Sequence, residues 1–251
     1  MTRCPVRIGC AGWSLPGNVT SEFPHPGTHL ERYAAVFNAV EINSSFYRAH
    51  RASTYARWAC SVPQDFRFSV KVPKAITHDL RLKKSTQPLT KFLHEVDSLG
   101  DRLGSLLIQL PPSLAFDDAT VEQFLTSLRR MYDGPAVIEP RHVSWFQKRA
   151  EQLLSAFDTG RVGADPPVCD QGAWPLASAK PAYVRLHGTP TVYVSNYDDG
   201  RLIAVARELD HRQAGGQHVW CIFDNTSRGF ATQNARTLQR LLTLLNATPT
   251  A

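Results

Sequence analysis

The chain has 251 residues, 43% of them hydrophobic and 20% charged, with a formal net charge of +6. That length suits one large α/β domain as well as two small ones, the composition allows a sizeable core, and no stretch approaches the ~18 consecutive apolar residues of a membrane span. Five scattered cysteines (Cys4, Cys10, Cys60, Cys169, Cys221) without a CxxC pair argue against a zinc knuckle or a disulfide frame and for reduced thiols. With no signal-peptide core between Met1 and Arg7, the expectation is a cytoplasmic protein without a membrane association. The basic balance favours anionic partners, nucleic acid or phosphorylated metabolites, although the densest basic group, Arg81-Leu82-Lys83-Lys84, is short.

The first strand-like run lies near residues 6–13, and the Gly- and Pro-rich segment Leu15 to Gly27 after it is expected to cover a functional face. Thr28 to Phe37 carries Leu30, Tyr33, Ala34 and Phe37 at helical spacing. Strand-like runs follow near 39–46 and 67–72, then a long loop from Pro73 to Lys84. Thr86 to Leu99 reads as an amphipathic helix with Gly100 placed to end it, and a strand-like run near 105–110 comes next. Asp117 to Met131 opens on an aspartate cap and carries Val121, Phe124, Leu125 and Leu128. A run near 136–141, a helix pattern over Trp145 to Phe157, and runs near 161–165, 182–187 and 218–224 complete the alternation, with a final helix pattern over Thr226 to Leu245. The loop Pro166 to Pro181 is long, and Gly188-Thr189-Pro190 marks a turn before Tyr193 to Asp199. Strand–helix alternation over this length predicts an α/β fold, a (β/α)8 TIM-type barrel forming a single domain over residues 1–251. A doubly wound sheet is the alternative, but no GxGxxG follows the first strand.

Several apolar runs end in charge: Val40-Glu41-Ile42-Asn43, Ser69-Val70-Lys71, Val137-Ile138-Glu139-Pro140-Arg141, Val184-Arg185-Leu186-His187 and Ile222-Phe223-Asp224-Asn225. Buried parallel strands are otherwise near-continuous apolar runs, and unpaired buried charge is costly, so these groups need each other, water or a ligand. Side chains alternate along a strand, which puts Glu41 with Asn43, Glu139 with Arg141, and Arg185 with His187. With Lys71, Asp165 and Asp224 they define a pocket at the strand C-termini.

Three readings fit that set. In the first, Arg141, Arg185 and Lys71 hold an anionic group, Glu41 and Glu139 orient them or act as base, His187 moves the proton, and Asp165 joins the catalytic carboxylates. Trp13, Asn43, Tyr47 and Asn225 are further candidates for ligand contact. In the second, Glu139, Asp165, His187 and Asp224 hold a divalent metal, against the repulsion of three nearby cations; no other cofactor is expected. In the third the charges form a buried structural network. Phe46, Trp145 and Tyr193 are aromatic wall candidates or loop-packing residues, and His78 and His142 are acid–base candidates or capping residues. No GxSxG, HExxH, Walker A or EF-hand pattern is present. The function expected is an enzyme, a hydrolase or isomerase with acid–base chemistry, acting on an anionic small molecule or nucleic-acid fragment. The rivals are a non-catalytic nucleic-acid binder with a basic surface and a metal-dependent hydrolase or isomerase.

These motifs together resemble the domain-of-unknown-function 72 family, also called YecE-like. The resemblance rests on Gly9-Cys10-Ala11-Gly12-Trp13-Ser14, Val40 to Arg48, Phe66 to Lys71, Ile76-Thr77-His78, Gln109 to Pro112, Glu139 to Trp145, Ala164-Asp165, Tyr183 to Gly188, Asp224-Asn225-Thr226 and Asn234-Ala235. It implies a TIM-type barrel and a candidate site but no reaction. The chain departs from the family pattern at Leu15, where a tyrosine is typical, and at Asp224, where Asn-Asn usually ends the last strand.

Overall fold

The computed structural model describes residues 4–17 and 19–247. In chain order the elements are β1 (Arg7–Cys10), α1 (His29–Ala34), β2 (Ala39–Ile42), α2 (Ala52–Cys60), β3 (Arg67–Lys71), α3 (Thr86–Val96), β4 (Leu103–Gln109) and α4 (Asp118–Arg129). They continue with β5 (Ala136–Glu139), α5 (Lys148–Ala156), β6 (Thr159–Arg161), β7 (Gly163–Asp165), β8 (Ala182–Leu186), α6 (Asp199–Ala214), β9 (Val219–Phe223) and α7 (Phe230–Ala247). Every strand pairing is parallel.

The expected single closed barrel is not what the hydrogen bonds draw. They make a five-stranded sheet, β2-β3-β4-β5-β6, and a four-stranded sheet, β1-β9-β8-β7. The sixth strand, expected as one run over 161–165, changes partner at Val162: β6 pairs with β5 and β7 with β8. Trp174 and Pro175 cross closely at this point, where a Cβ on Gly163 would lie 2.6 Å from both. At the other junction an isolated bridge joins Ala11 to Glu41, and the Gly12 amide donates to the Glu41 carbonyl at 2.9 Å. Gly9 is required there, because a Cβ would stand 2.0 Å from the Ala39 carbonyl oxygen.

The helix patterns are largely where hydrophobic spacing puts them, with shorter ends. Thr28 closes a capping box with Glu31 on α1, and Asp117 caps α4 as its position implies. Residues Val143–Phe146 form a 3-10 turn, so α5 starts at Lys148, not at Trp145. Two helices fall in stretches not assigned from sequence. Only Tyr55 of α2 is buried, so its apolar stripe is faint, whereas α6 buries Leu202, Val205, Ala206 and Leu209 behind an Asp198 cap.

Strand alternation divides the apolar side chains into two clusters. One packs the sheets on the helices, with Val40, Ile42, Phe68, Val70, Leu106, Ile108, Ile138, Val184, Leu186 and Phe223 among its strand residues. The other lies between the sheets and consists of Ala39, Leu107, Val137, Val162, Tyr183, Trp220 and Ile222, with Ala11 packed against it. The candidate site rests directly on this second cluster.

Candidate functional site

Two residues further along each strand from the inner apolar cluster, the same inward-facing row becomes polar. Ala39 gives way to Glu41, Leu107 to Gln109, Val137 to Glu139, Tyr183 to Arg185 and Ile222 to Asp224. The fully buried Arg185 stands at the centre. Its Nε and Nη2 donate to Glu41 Oε2 and Oε1 at 2.9 and 2.6 Å, a bidentate pair. Nη1 reaches Glu139 Oε2 at 2.8 Å, and Nη2 also reaches Asp224 Oδ2 at 2.9 Å. Burial pulls the Arg185 pKa down, but Glu41, Glu139 and Asp224 outweigh it and hold the guanidinium charged. Below it the Tyr183 hydroxyl lies 2.8 Å from Ser69 Oγ and 3.1 Å from Glu41 Oε2, with its ring stacked on Trp220 at 5.7 Å.

Above Arg185 the His187 ring spans two carboxylates. Its Nδ1 is 3.0 Å from Asp224 Oδ2 and its Nε2 is 2.8 Å from Glu139 Oε1. Arg141 Nη2 stands 2.6 Å from the same Nε2 and 2.5 Å from Glu139 Oε1. A neutral imidazole donates from Nδ1 to Asp224 and accepts from Arg141, while a protonated one donates to both carboxylates and must displace Arg141. Burial pushes the Glu139 carboxyl up, yet Arg141, Arg185 and His187 hold it well below the usual carboxylate range. Asp224 follows the same logic: burial opposes ionisation, and Arg185, His187 and Lys71 overcome it.

Lys71 ends β3 with its backbone pinned, since Ser45 Oγ donates to the Lys71 carbonyl at 2.6 Å. Its Nζ lies 4.2 Å over the Phe46 ring and makes no hydrogen bond or ion pair to any described residue. Phe46 is in turn held edge-on by Tyr47 and His78. Burial, and then the charge of Arg185, push the Lys71 pKa down to about 8 against the pull of Glu41, Glu139 and Asp224.

Glu41, Lys71, Glu139, Arg141, Arg185, His187 and Asp224 thus come together. Asp165 does not join them. Its carboxylate accepts from Thr189 Oγ1 at 2.9 Å and pairs with Arg201 Nε at 3.1 Å, tying the loop after β8 to α6. The metal set expected from Glu139, Asp165, His187 and Asp224 is consequently not assembled, and the described residues hold no group of three or more acidic, His or Cys side chains placed for a metal. Arg185 is also not placed to grip a ligand, because its donors are taken by carboxylates. Asn225 turns its amide to the Ser195 carbonyl and Asn234 Oδ1, bracing the loop after β8. Trp13 packs edge-on against Trp58 of α2, and with Asn43 and the exposed Tyr47 it lines a neighbouring pocket of about 450 Å³. Within that pocket's wall Asn43 Oδ1 is buried without a partner. Trp145 is buried with its indole on the Leu114 carbonyl, His142 caps the turn at Ser144, and Tyr193 meets the His187 ring edge-on. Tyr183, Ser69 and Gln109 extend the site beyond the charged residues that sequence points to: inward alternation places the first two at hydroxyl distance from each other and Gln109 beside Glu139. The signal available for Tyr183 was its place two residues before Arg185.

The fold and this cluster define a parallel α/β protein with charged side chains gathered where its strands end. The chain belongs to the family described as protein of unknown function DUF72, which matches residues 7–251. It is 32% identical to UPF0759 protein YecE of Escherichia coli K12 over 70% of this chain and 62% of that protein. The chain therefore spans less than two thirds of the length of that relative. UPF0759 protein YunF of Bacillus subtilis is 26% identical over 94% of both chains. A DUF72 family protein from Thermotoga maritima superposes with a TM-score of 0.81 at 25% identity, over 95% of this chain and 99% of the other. Among the described residues no helix is long and apolar enough to cross a membrane.

Proposed function

We propose that this is a cytoplasmic enzyme, a hydrolase or isomerase working by acid–base chemistry on an anionic small molecule, at the strand-end face of a TIM-type (β/α)8 barrel. The barrel reading is supported by the Ala11–Glu41 bridge on one side, by the single residue between β6 and β7 on the other, and by Tyr183 reaching Ser69 and Glu41 from the opposite sheet. One observation carries the functional reading. Arg141 uses a single nitrogen, Nη2, for Glu139 and His187, and neither its other nitrogens nor Lys71 Nζ is among the buried unpartnered atoms. Two cations thus present donors to solvent above a cluster in which every nitrogen of Arg185 already meets a carboxylate. Arg141 offers the fork that suits a phosphate or carboxylate, Lys71 adds a point charge, and the His187–Glu139 pair exchanges the proton.

The test is thermal shift against inorganic phosphate and phosphorylated sugars, with Arg141→Ala beside the wild type. A ligand at about a hundredfold excess over its dissociation constant stabilises by roughly 2.7 kcal/mol, and the variant should lose that gain. Equal shifts in both proteins would sink the proposal. Oligonucleotide binding that weakens steeply with salt and ignores the substitution would point instead to a surface nucleic-acid binder.

A further inference from the structure

Resting on that reading of the site, we infer that Lys71 is a nucleophile which forms an imine with a carbonyl group of the substrate, and that the substrate class is a small aldehyde or ketone carrying an anionic group held by Arg141. The geometry separates Lys71 from every other lysine. Lys74, Lys83, Lys84, Lys91, Lys148 and Lys180 are all exposed, whereas Lys71 is only 5% exposed. A buried ammonium ordinarily pairs with a carboxylate. Here the three nearest acids are engaged by Arg185, Arg141 and His187, and the Lys71 amine is left against an aromatic face. A lysine kept only to neutralise charge would sit in an ion pair, and Lys71 makes none with any described residue. An amine that must attack carbon needs an apolar contact and an opening to solvent, and Nζ has both. Its depressed pKa of about 8, caused first by burial and then by Arg185, leaves a usable neutral fraction near pH 7.5.

The step conserves atoms and electrons without an external oxidant. The ammonium first releases one proton to water. The neutral nitrogen then adds its lone pair to the carbonyl carbon, the former carbonyl oxygen collects two protons and departs as water, and the C=N bond replaces the C=O bond. His187, poised between Glu139 and Asp224, is the group of the cluster placed to handle those protons.

The experiment is reductive trapping at pH 7.5 with glyoxylate, the smallest anionic aldehyde, and with acetaldehyde as its neutral counterpart. Cyanoborohydride supplies the hydride that converts the imine to a stable secondary amine, and peptide mass mapping reads the label at each lysine. Label at Lys71 should accumulate about tenfold faster than at the exposed lysines, as expected for a desolvated amine, and inorganic phosphate should slow it. In Arg141→Ala the rate with glyoxylate should fall to that with acetaldehyde. In Lys71→Arg the label at the six exposed lysines should be unchanged, and a cooperative thermal melt shows that the variant is folded. Labelling at Lys71 no faster than at the exposed lysines would overturn the imine, while a phosphate thermal shift lost in Arg141→Ala would leave the anion site standing. Fast labelling at Lys71 that ignores both phosphate and Arg141→Ala would support the imine and overturn the anion site.

Discussion

The two ends of the same parallel strands treat their cations in opposite ways. At the N-terminal end a pocket of about 460 Å³ is lined by Arg7, Arg67, Lys180, His218 and Trp220. Its arginines lean on main chain: Arg7 donates to the carbonyls of Asn38 and Asp65, and Arg67 to those of Gln64 and Phe66. At the C-terminal end the cations meet carboxylates, and those carboxylates are interlocked through one buried guanidinium. A well-formed opening is therefore not what marks the candidate site. Cavity size marks where side chains fail to fill space, whereas the candidate site is where buried charges are held in a fixed relation to one another and two donors remain open.

The sharpest way to break this comparison is Arg185→Ala. It leaves Glu41, Glu139 and Asp224 buried without their common partner, and the expected loss is about 3–5 kcal/mol of unfolding free energy by urea denaturation. A loss below about 1 kcal/mol, the range of exposed pairs, would put the two ends on the same footing.

Acid comes next. Glu139 and Asp224 titrate below their ordinary values when folded, so the stability they contribute is complete above about pH 4.5 and disappears as pH falls through their folded values. Unfolding free energies from urea titration should hold steady from pH 7 to 5 and then drop by about 2 kcal/mol or more towards pH 3. Glu139→Gln should flatten part of that slope. A slope identical in the variant would detach the cluster from acid sensitivity.

The smallest effect belongs to the other end. Arg67→Ala removes bonds to carbonyls near the surface, and the expected change is within about 1 kcal/mol, with the acid slope and the phosphate shift both retained. A larger loss, or a lost phosphate shift, would show that the N-terminal pocket takes part in ligand binding.

Much of this contrast was readable in the chain. Period-two alternation in Val137-Ile138-Glu139 and Tyr183-Val184-Arg185-Leu186-His187 assigns each residue to a side, and the step from apolar to charged along the inner side marks the site. What sequence leaves open is which charge pairs with which. Asp165 and Asp224 both follow apolar residues at strand ends, but the turn at Gly188, held at a φ of 97°, brings Thr189 to Asp165, and Arg201 on α6 completes its separate environment. Arg185 and Arg141 look alike as letters; the first meets carboxylates at every nitrogen only because three other strands converge on it. The break at Val162 leaves no mark in the apolar pattern, where 161–165 reads as one run, and it lies where Trp174 and Pro175 of the following loop come close to Gly163.

The division into two sheets has a consequence for how the chain reaches its native state. Strands β2 to β6 are consecutive in sequence and pair in that order, so the five-stranded sheet can grow from neighbours as the chain is synthesised. The four-stranded sheet cannot, because β1 must wait for β9, with Arg7 in register with Trp220 across most of the chain. Closing so long a loop is entropically slow. The pairing of the first strand with β9 should therefore form late, whereas its bridge from Ala11 to Glu41 joins residues near in sequence and needs no such wait.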